Sequence, residues 1–123
     1  MTVKRQQIGK VGEIAAREYL EKLGYRIIHT NYRCPLGEID IIAQDKDTVV
    51  IVEVRTKTGT AFGYPEESIN QNKARRLRRL ALHYLQSKHK RSVRCRIDLI
   101  SVMCDKKKET VLRLNHIHNI LPG

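Results

Sequence analysis

Two apolar runs constrain this chain more than any other feature. The first is Gly37-Glu38-Ile39-Asp40-Ile41-Ile42-Ala43, and the second is Val49-Val50-Ile51-Val52-Glu53-Val54-Arg55. Both are built almost wholly from Ile and Val, which are stiff at χ1 and pack well on a pleated surface, so both read as buried strands. The polar break Asp45-Lys46-Asp47 between them predicts a hairpin. Yet Glu38, Asp40 and Glu53 stand where a core belongs.

Side chains two apart on a strand share a face. Strict alternation therefore puts Glu38, Asp40 and Ile42 on one face of the first strand. It puts Val49, Ile51, Glu53 and Arg55 on one face of the second. If the two strands are neighbours, Asp40 and Glu53 converge at one edge of the sheet. Unpaired buried carboxylates are costly and take up protons. A divalent cation removes that penalty, and Mg²⁺ takes hard oxygen ligands of this kind. Ordinary ion pairs, Glu53 with Arg55 or Asp40 with Arg33, are the competing explanation.

The rest of the chain surrounds these strands with alternating elements. Ile8, Val11, Ala15, Tyr19 and Leu23 recur at helical spacing from about Arg5, and Gly24 ends that helix. Gly12 falls on its apolar arc, which implies a close approach to the sheet. A β-rich segment, Tyr25–Arg33, ends at the turn Cys34-Pro35-Leu36-Gly37. Thr56–Ser68, with two glycines and a proline, predicts a mobile loop. A second helix is predicted over Asn70–Ser87, then strands over Val93–Met103 and Thr110–Ile117. The order α-β-β-β-α-β-β predicts an α/β protein, a mixed sheet flanked by helices. A chain of 123 residues suits one domain over its whole length, 1–123.

Charge is concentrated. The formal net charge is +11, and between Ser68 and Ile97 there are ten Lys or Arg and no acid. At 100° per residue, Ala74, Leu77, Leu80, Ala81, Tyr84 and Leu85 form one arc of the second helix. Arg75, Arg76, Arg78 and Arg79 lie outside that arc as a solvated basic face, suited to the phosphates of a nucleic acid. Lys73 lies inside the arc, so its stem points toward the sheet. Its amine then either meets the carboxylates or snorkels to water. The remaining polar residues point less clearly. His116 and His118 share a strand face, but no third ligand of matching spacing stands near them in sequence. Asp98 is read as pairing with a nearby Arg or a backbone donor. Tyr32 and Tyr64 can stack on bases, yet with Phe62 the only phenylalanine no aromatic platform is evident. The polar, basic start of the chain and three cysteines without CxxC spacing predict a cytoplasmic protein with free thiols. No apolar run approaches a membrane span.

The segments GKVGEIAAREYLEKLGYRIIHTNYRCPLGEIDIIAQD, VVIVEVRTK, NKARRLRRLALHYL and CRIDLISV resemble the YraN family of small bacterial proteins. The resemblance implies the restriction-endonuclease-like fold with its αβββαβ core, similar to archaeal Holliday-junction resolvases. By position, Glu13 matches the acidic residue of the first helix, Asp40 the motif aspartate and Glu53 the motif acid. Arg55 stands where the nuclease superfamily usually has lysine. Arginine keeps its charge and clamps phosphate well, but it is a poor general base. Lys73, and less directly Lys57, are candidates to replace the missing amine.

These readings give three expectations. Asp40, Glu53 and a main-chain carbonyl near Val54 bind Mg²⁺ or Mn²⁺, with Glu13 or Glu38 as an outer partner. The protein binds nucleic acid, DNA by preference, and cleaves branched or structured DNA; the rival class is a non-catalytic binding module on the same fold. A homodimer follows only by analogy with the resolvases.

Overall fold

The computed structural model describes residues 2–58, 70–88 and 93–120. Helix α1 (Thr2–Lys22) is followed by strands β1 (Arg26–Cys34), β2 (Gly37–Asp45) and β3 (Thr48–Thr58). Helix α2 (Gln71–Ser87) and strands β4 (Arg94–Cys104) and β5 (Val111–Ile117) complete the order. The five strands form one mixed sheet in the order β1-β2-β3-β4-β5. Neighbours are antiparallel except β3 and β4, which run parallel from Thr48↔Arg94 to Thr58↔Cys104. The succession α1-β1-β2-β3-α2-β4 is that of the αβββαβ core. The third strand is longer than the sequence suggests. It continues through Thr56-Lys57-Thr58, and the remainder of the loop expected at Thr56–Ser68, with Phe62 and Tyr64, lies outside the described residues.

Each face of the sheet carries one helix and one core. Ile8, Ala16 and Leu20 of α1 pack with Ile41, Ala43, Val50, Val52, Ile100 and Val102. On the other face Leu77, Leu80, Ala81, Tyr84 and Leu85 of α2 pack with Ile39, Ile42, Val49, Ile51 and Ile97. The α2 residues buried in this way are those of the predicted arc. Tyr32 and Tyr84 meet edge to face with ring centroids 5.3 Å apart, so the half-buried Tyr32 packs against this core.

Two local features fix α1 against the sheet. At Gly12 any Cβ would run into the Thr56 side chain, so the glycine lets the helix lie directly on β3. At the C-terminus Gly24 takes φ +93°. There the Tyr25 amide donates to the Leu20 carbonyl and the Gly24 amide to Glu21, a Schellman cap. Helix α2 begins at Asn70, whose side chain accepts the Lys73 amide at 2.9 Å. No described helix is long and apolar enough to cross a membrane, and Cys34, Cys95 and Cys104 are unpaired.

Candidate active site

The antiparallel ladder between β2 and β3 runs from Asp45↔Thr48 to Ile41↔Val52 and stops there. One more pair would have set Asp40 opposite Glu53. Instead the strands part, and the Asp40 carboxylate accepts the Val54 amide at 2.8 Å. In an extended strand the carbonyl of a residue leaves on the same side as its N–H. The Val54 carbonyl therefore also opens toward the gap where β2 has left.

Strict alternation fails at this place, and the expectation that Asp40 and Ile42 share a face is corrected. Ile39 and Ile42 both pack on the α2 side, whereas Asp40 lines a cleft on the α1 side with Glu13, Thr30 and Asn31. A second irregularity lies across the sheet at the same level. Asn31 of β1 sits in the left-handed region at φ 53°. The regular pairs Thr30↔Ile41 and Tyr32↔Ile39 flank it. An Asn tolerates that conformation.

The electrostatics follow from this crowding. Burial raises the Asp40 pKa to about 7; Glu53 adds to the push, while the Val54 amide works against it. Glu13 is also raised, first by burial and then by Glu38, with a hydrogen bond from Asn31 drawing it back. Glu53 itself is buried, at 6% exposure. Its Oε2 is 3.2 Å from Arg55 Nε and 3.2 Å from Lys73 Nζ. The Lys73 side chain is 19% exposed, so its amine meets the carboxylate and does not snorkel. The Arg55 contact is an ion pair without hydrogen-bond geometry, which leaves Arg55 Nε as a buried donor with no partner. Thus β2 supplies Asp40, β3 supplies Glu53, Val54 and Arg55, α1 supplies Glu13, and α2 supplies Lys73.

The donor set suits a hard divalent cation. Burial, with Glu53 adding to it, holds a proton on Asp40 near neutrality, and a main-chain carbonyl opens beside it. Arg33 pairs loosely with Glu38 at 3.9 Å on the surface, not with Asp40.

A second cluster, scattered in the sequence, comes together between β4 and β5. Ligand atoms of Asp98, His116 and His118 lie within 4.8 Å of one another, a gathering able to hold a metal ion. Glu13, Asp40 and Glu53 do not converge as tightly. Asp98 and His116 are, however, already engaged. Asp98 Oδ2 is 2.7 Å from His116 Nε2, and Asp98 Oδ1 accepts the Asn119 amide at 2.9 Å. Arg96 Nε donates to both oxygens at 3.1 and 3.2 Å. The other nitrogen of His116 is 3.1 Å from the Tyr19 hydroxyl of α1. The His116 and His118 rings stack at 3.9 Å, and His118 Nδ1 lies 3.8 Å from the same Asp98 oxygen. Arg96 also reaches Asp45 at 3.4 Å and the Tyr25 hydroxyl. Sequence reasoning paired Asp98 with an arginine or a backbone donor, and both are present. It missed the histidine, because β5 brings His116 back beside β4.

On α2, Arg75, Arg76, Arg78 and Arg79 are exposed and form no ion pair among the described residues. The basic face is therefore uncompensated by acids.

A mixed sheet in αβββαβ order between two helices defines the class: a protein of restriction-endonuclease-like fold. The chain belongs to the uncharacterised protein family UPF0102, which residues 12–102 match. It is 46% identical over 108 residues to a UPF0102 protein of Moorella thermoacetica, covering 88% of this chain and 90% of that one. It is 42% identical over 117 residues to one from Caldicellulosiruptor saccharolyticus, covering 95% and 98%. With a third, from Persephonella marina, it shares 50% identity over 95 residues, 77% of this chain and 82% of the relative.

Proposed function

We propose that this protein binds DNA and hydrolyses phosphodiester bonds in branched or structured DNA with the help of Mg²⁺ or Mn²⁺. The observation that carries this reading is the parting of β2 and β3 at Asp40, beside a buried Glu53. Asp40, Glu53 and the Val54 carbonyl would hold the cation, with Glu13 beyond them as an outer partner. When bound, such a cation activates water and stabilises the leaving oxygen. In hydrolysis a water oxygen bonds to phosphorus, one P–O ester bond breaks, and a proton passes to the departing oxygen.

Arg55 and Lys73 take complementary roles. The Arg55 guanidinium, part-exposed beyond its contact with Glu53, would donate to a phosphate oxygen whose charge grows in the transition state. The Lys73 amine, from α2, stands in for the amine missing at position 55. Arg75, Arg76, Arg78 and Arg79 contact flanking phosphates without reading sequence. A reducing cytoplasm suits the three free thiols, and a homodimer remains part of the proposal by analogy with junction resolvases alone.

A second reading, a binding module without catalysis, is favoured by one observation. Glu53 Oε2 already lies against two cations, which compete with a metal for that oxygen. A cleavage assay on a labelled four-way junction in Mg²⁺ separates the two. The enzyme reading expects cutting by the wild type and none by Glu53→Gln or Asp40→Asn. Salt-sensitive binding by a wild type that never cuts would establish the module instead.

A further inference from the structure

On α1, Lys10, Glu13 and Arg17 are spaced i, i+3 and i+7, so they share one face. That face forms one wall of the cleft whose other side is Thr30 and Asn31 of β1 with Asp40 of β2. The cleft measures about 240 Å³. Lys10 and Arg17 are exposed, and neither forms an ion pair or hydrogen bond among the described residues. The influences acting on Glu13 are burial, Asn31 and Glu38, with no cation among them. Two unspent positive charges thus bracket the carboxylates along the helix.

We infer that this cleft is the track for a single nucleic-acid strand, with Lys10 and Arg17 holding phosphates on either side of the Glu13–Asp40 pair. Seven residues of helix advance about 10 Å, so Lys10 and Arg17 stand about one helical turn to either side of Glu13. The volume is below that of a drug-sized pocket, at roughly 300–1,000 Å³, and takes about one nucleotide. A B-form duplex, whose major groove alone is about 12 Å wide, does not enter it. The basic face of α2 lies on the opposite side of the sheet from α1. It is the place for duplex phosphates, while the α1 cleft takes the strand that has left the duplex. This assignment rests on the nucleic-acid reading above and adds to it the class of substrate: DNA with an unpaired strand at a branch, flap or end.

The test measures the affinity of the full chain, in chelator, for a fluorescent single strand and for a blunt duplex of the same sequence. Proteins compared are wild type, Lys10→Gln/Arg17→Gln, the charge-keeping Lys10→Arg/Arg17→Lys, and a variant with Arg75, Arg76, Arg78 and Arg79 all changed to Gln. The glutamine pair on α1 should lose at least tenfold in single-strand affinity, while the charge-keeping pair stays near wild type. The salt slope for the single strand should fall by about 1.4, at 0.7 per phosphate. Duplex affinity should change less than threefold. The α2 variant should show the reverse preference. Unchanged single-strand binding by the glutamine pair, or equal losses on both probes, would overturn the strand assignment and leave the nucleic-acid reading intact. A wild type with no salt-dependent affinity for either probe would instead remove the nucleic-acid reading, and the strand assignment with it. Melting curves for all four proteins exclude loss of fold as a cause, since the altered residues are exposed.

Discussion

The ammonium of Lys73 lies 3.2 Å from Glu53 Oε2, the oxygen that Arg55 Nε approaches to the same distance. Two cations from two different elements thus meet one buried carboxylate. Replacing either leaves the other in place, so neither change strips Glu53 of a counter-charge. Lys73→Met should lose about 1–2 kcal/mol of stability, for the loss of one partner of a largely buried ion pair, and at least tenfold in Mg²⁺-dependent cleavage rate. A Lys73→Met protein that cuts at the wild-type rate, beside an inactive Arg55→Met, would give the whole role to Arg55.

Asp40→Asn should stabilise the metal-free protein. The folded pKa of about 7 lies above the ordinary value of 3.8, so the folded state keeps a proton that the unfolded chain releases. The contribution of Asp40 to stability is therefore full below pH 4 and lost as pH rises to about 7. Above that it costs on the order of 2–4 kcal/mol, which the asparagine avoids. Denaturant titrations at pH 5 and pH 8 should show the gap between variant and wild type widening at the higher pH. Mn²⁺ should raise the melting temperature of the wild type and leave that of Asp40→Asn unmoved.

Asp98 behaves in the opposite sense. Burial alone would raise its pKa, but hydrogen bonds from His116, the Asn119 amide and Arg96 outweigh it and hold the group below the usual carboxylate range. Its contribution is present above about pH 4 and is lost as pH falls through the depressed folded value. Asp98→Asn should cost about 2 kcal/mol near neutrality, because the fully buried group loses its charge-assisted hydrogen bonds while Arg96 keeps its pair with Asp45. It should also flatten the acid limb of the stability profile. Equal acid sensitivity in wild type and variant would show that other carboxylates govern acid unfolding.

Changing Arg75, Arg76, Arg78 and Arg79 together to Gln should leave the fold intact and reduce the salt dependence of duplex binding. With about 0.9 of a unit per phosphate contact, four contacts amount to about 3.6 in the slope of log affinity against log salt. Fluorescence anisotropy across a salt series reads this directly. An unaltered slope would make this face an ordinary solvated helix exterior.

Much of this arrangement was legible in the residues because it depends on local periodicity. The buried face of α2 follows from the positions of Ala74, Leu77, Leu80, Ala81, Tyr84 and Leu85, and the inward stem of Lys73 from the same angles. Gly12 signalled the contact with the sheet for the same reason. Where the sequence misled, a rule of regularity gave way locally. Alternation along β2 assigns Asp40 a face, and it breaks between Ile39 and Ile41, at the level of the left-handed Asn31 on β1. His116 joins Asp98 through the return of β5, which no spacing within either segment announces. Lys10 and Arg17 were visible at i, i+3 and i+7 around Glu13, but nothing in the sequence says which face of a polar helix borders a cleft.

The parallel pairing of β3 with β4 has a consequence for how the chain reaches this state. Asp40 and Glu53 belong to one hairpin, closed across Asp45↔Thr48, and such a hairpin forms in microseconds. Thr48 and Arg94 meet only after α2 has crossed over, and non-local pairing of this kind is slow. The two acids are therefore brought together early, while Lys73 arrives late with the crossover. For that interval Arg55, carried on β3 itself, is the one of the two cations already beside Glu53. Ambient divalent ions would ease the crowding of the two acids until the second cation arrives, before they have any substrate to act on.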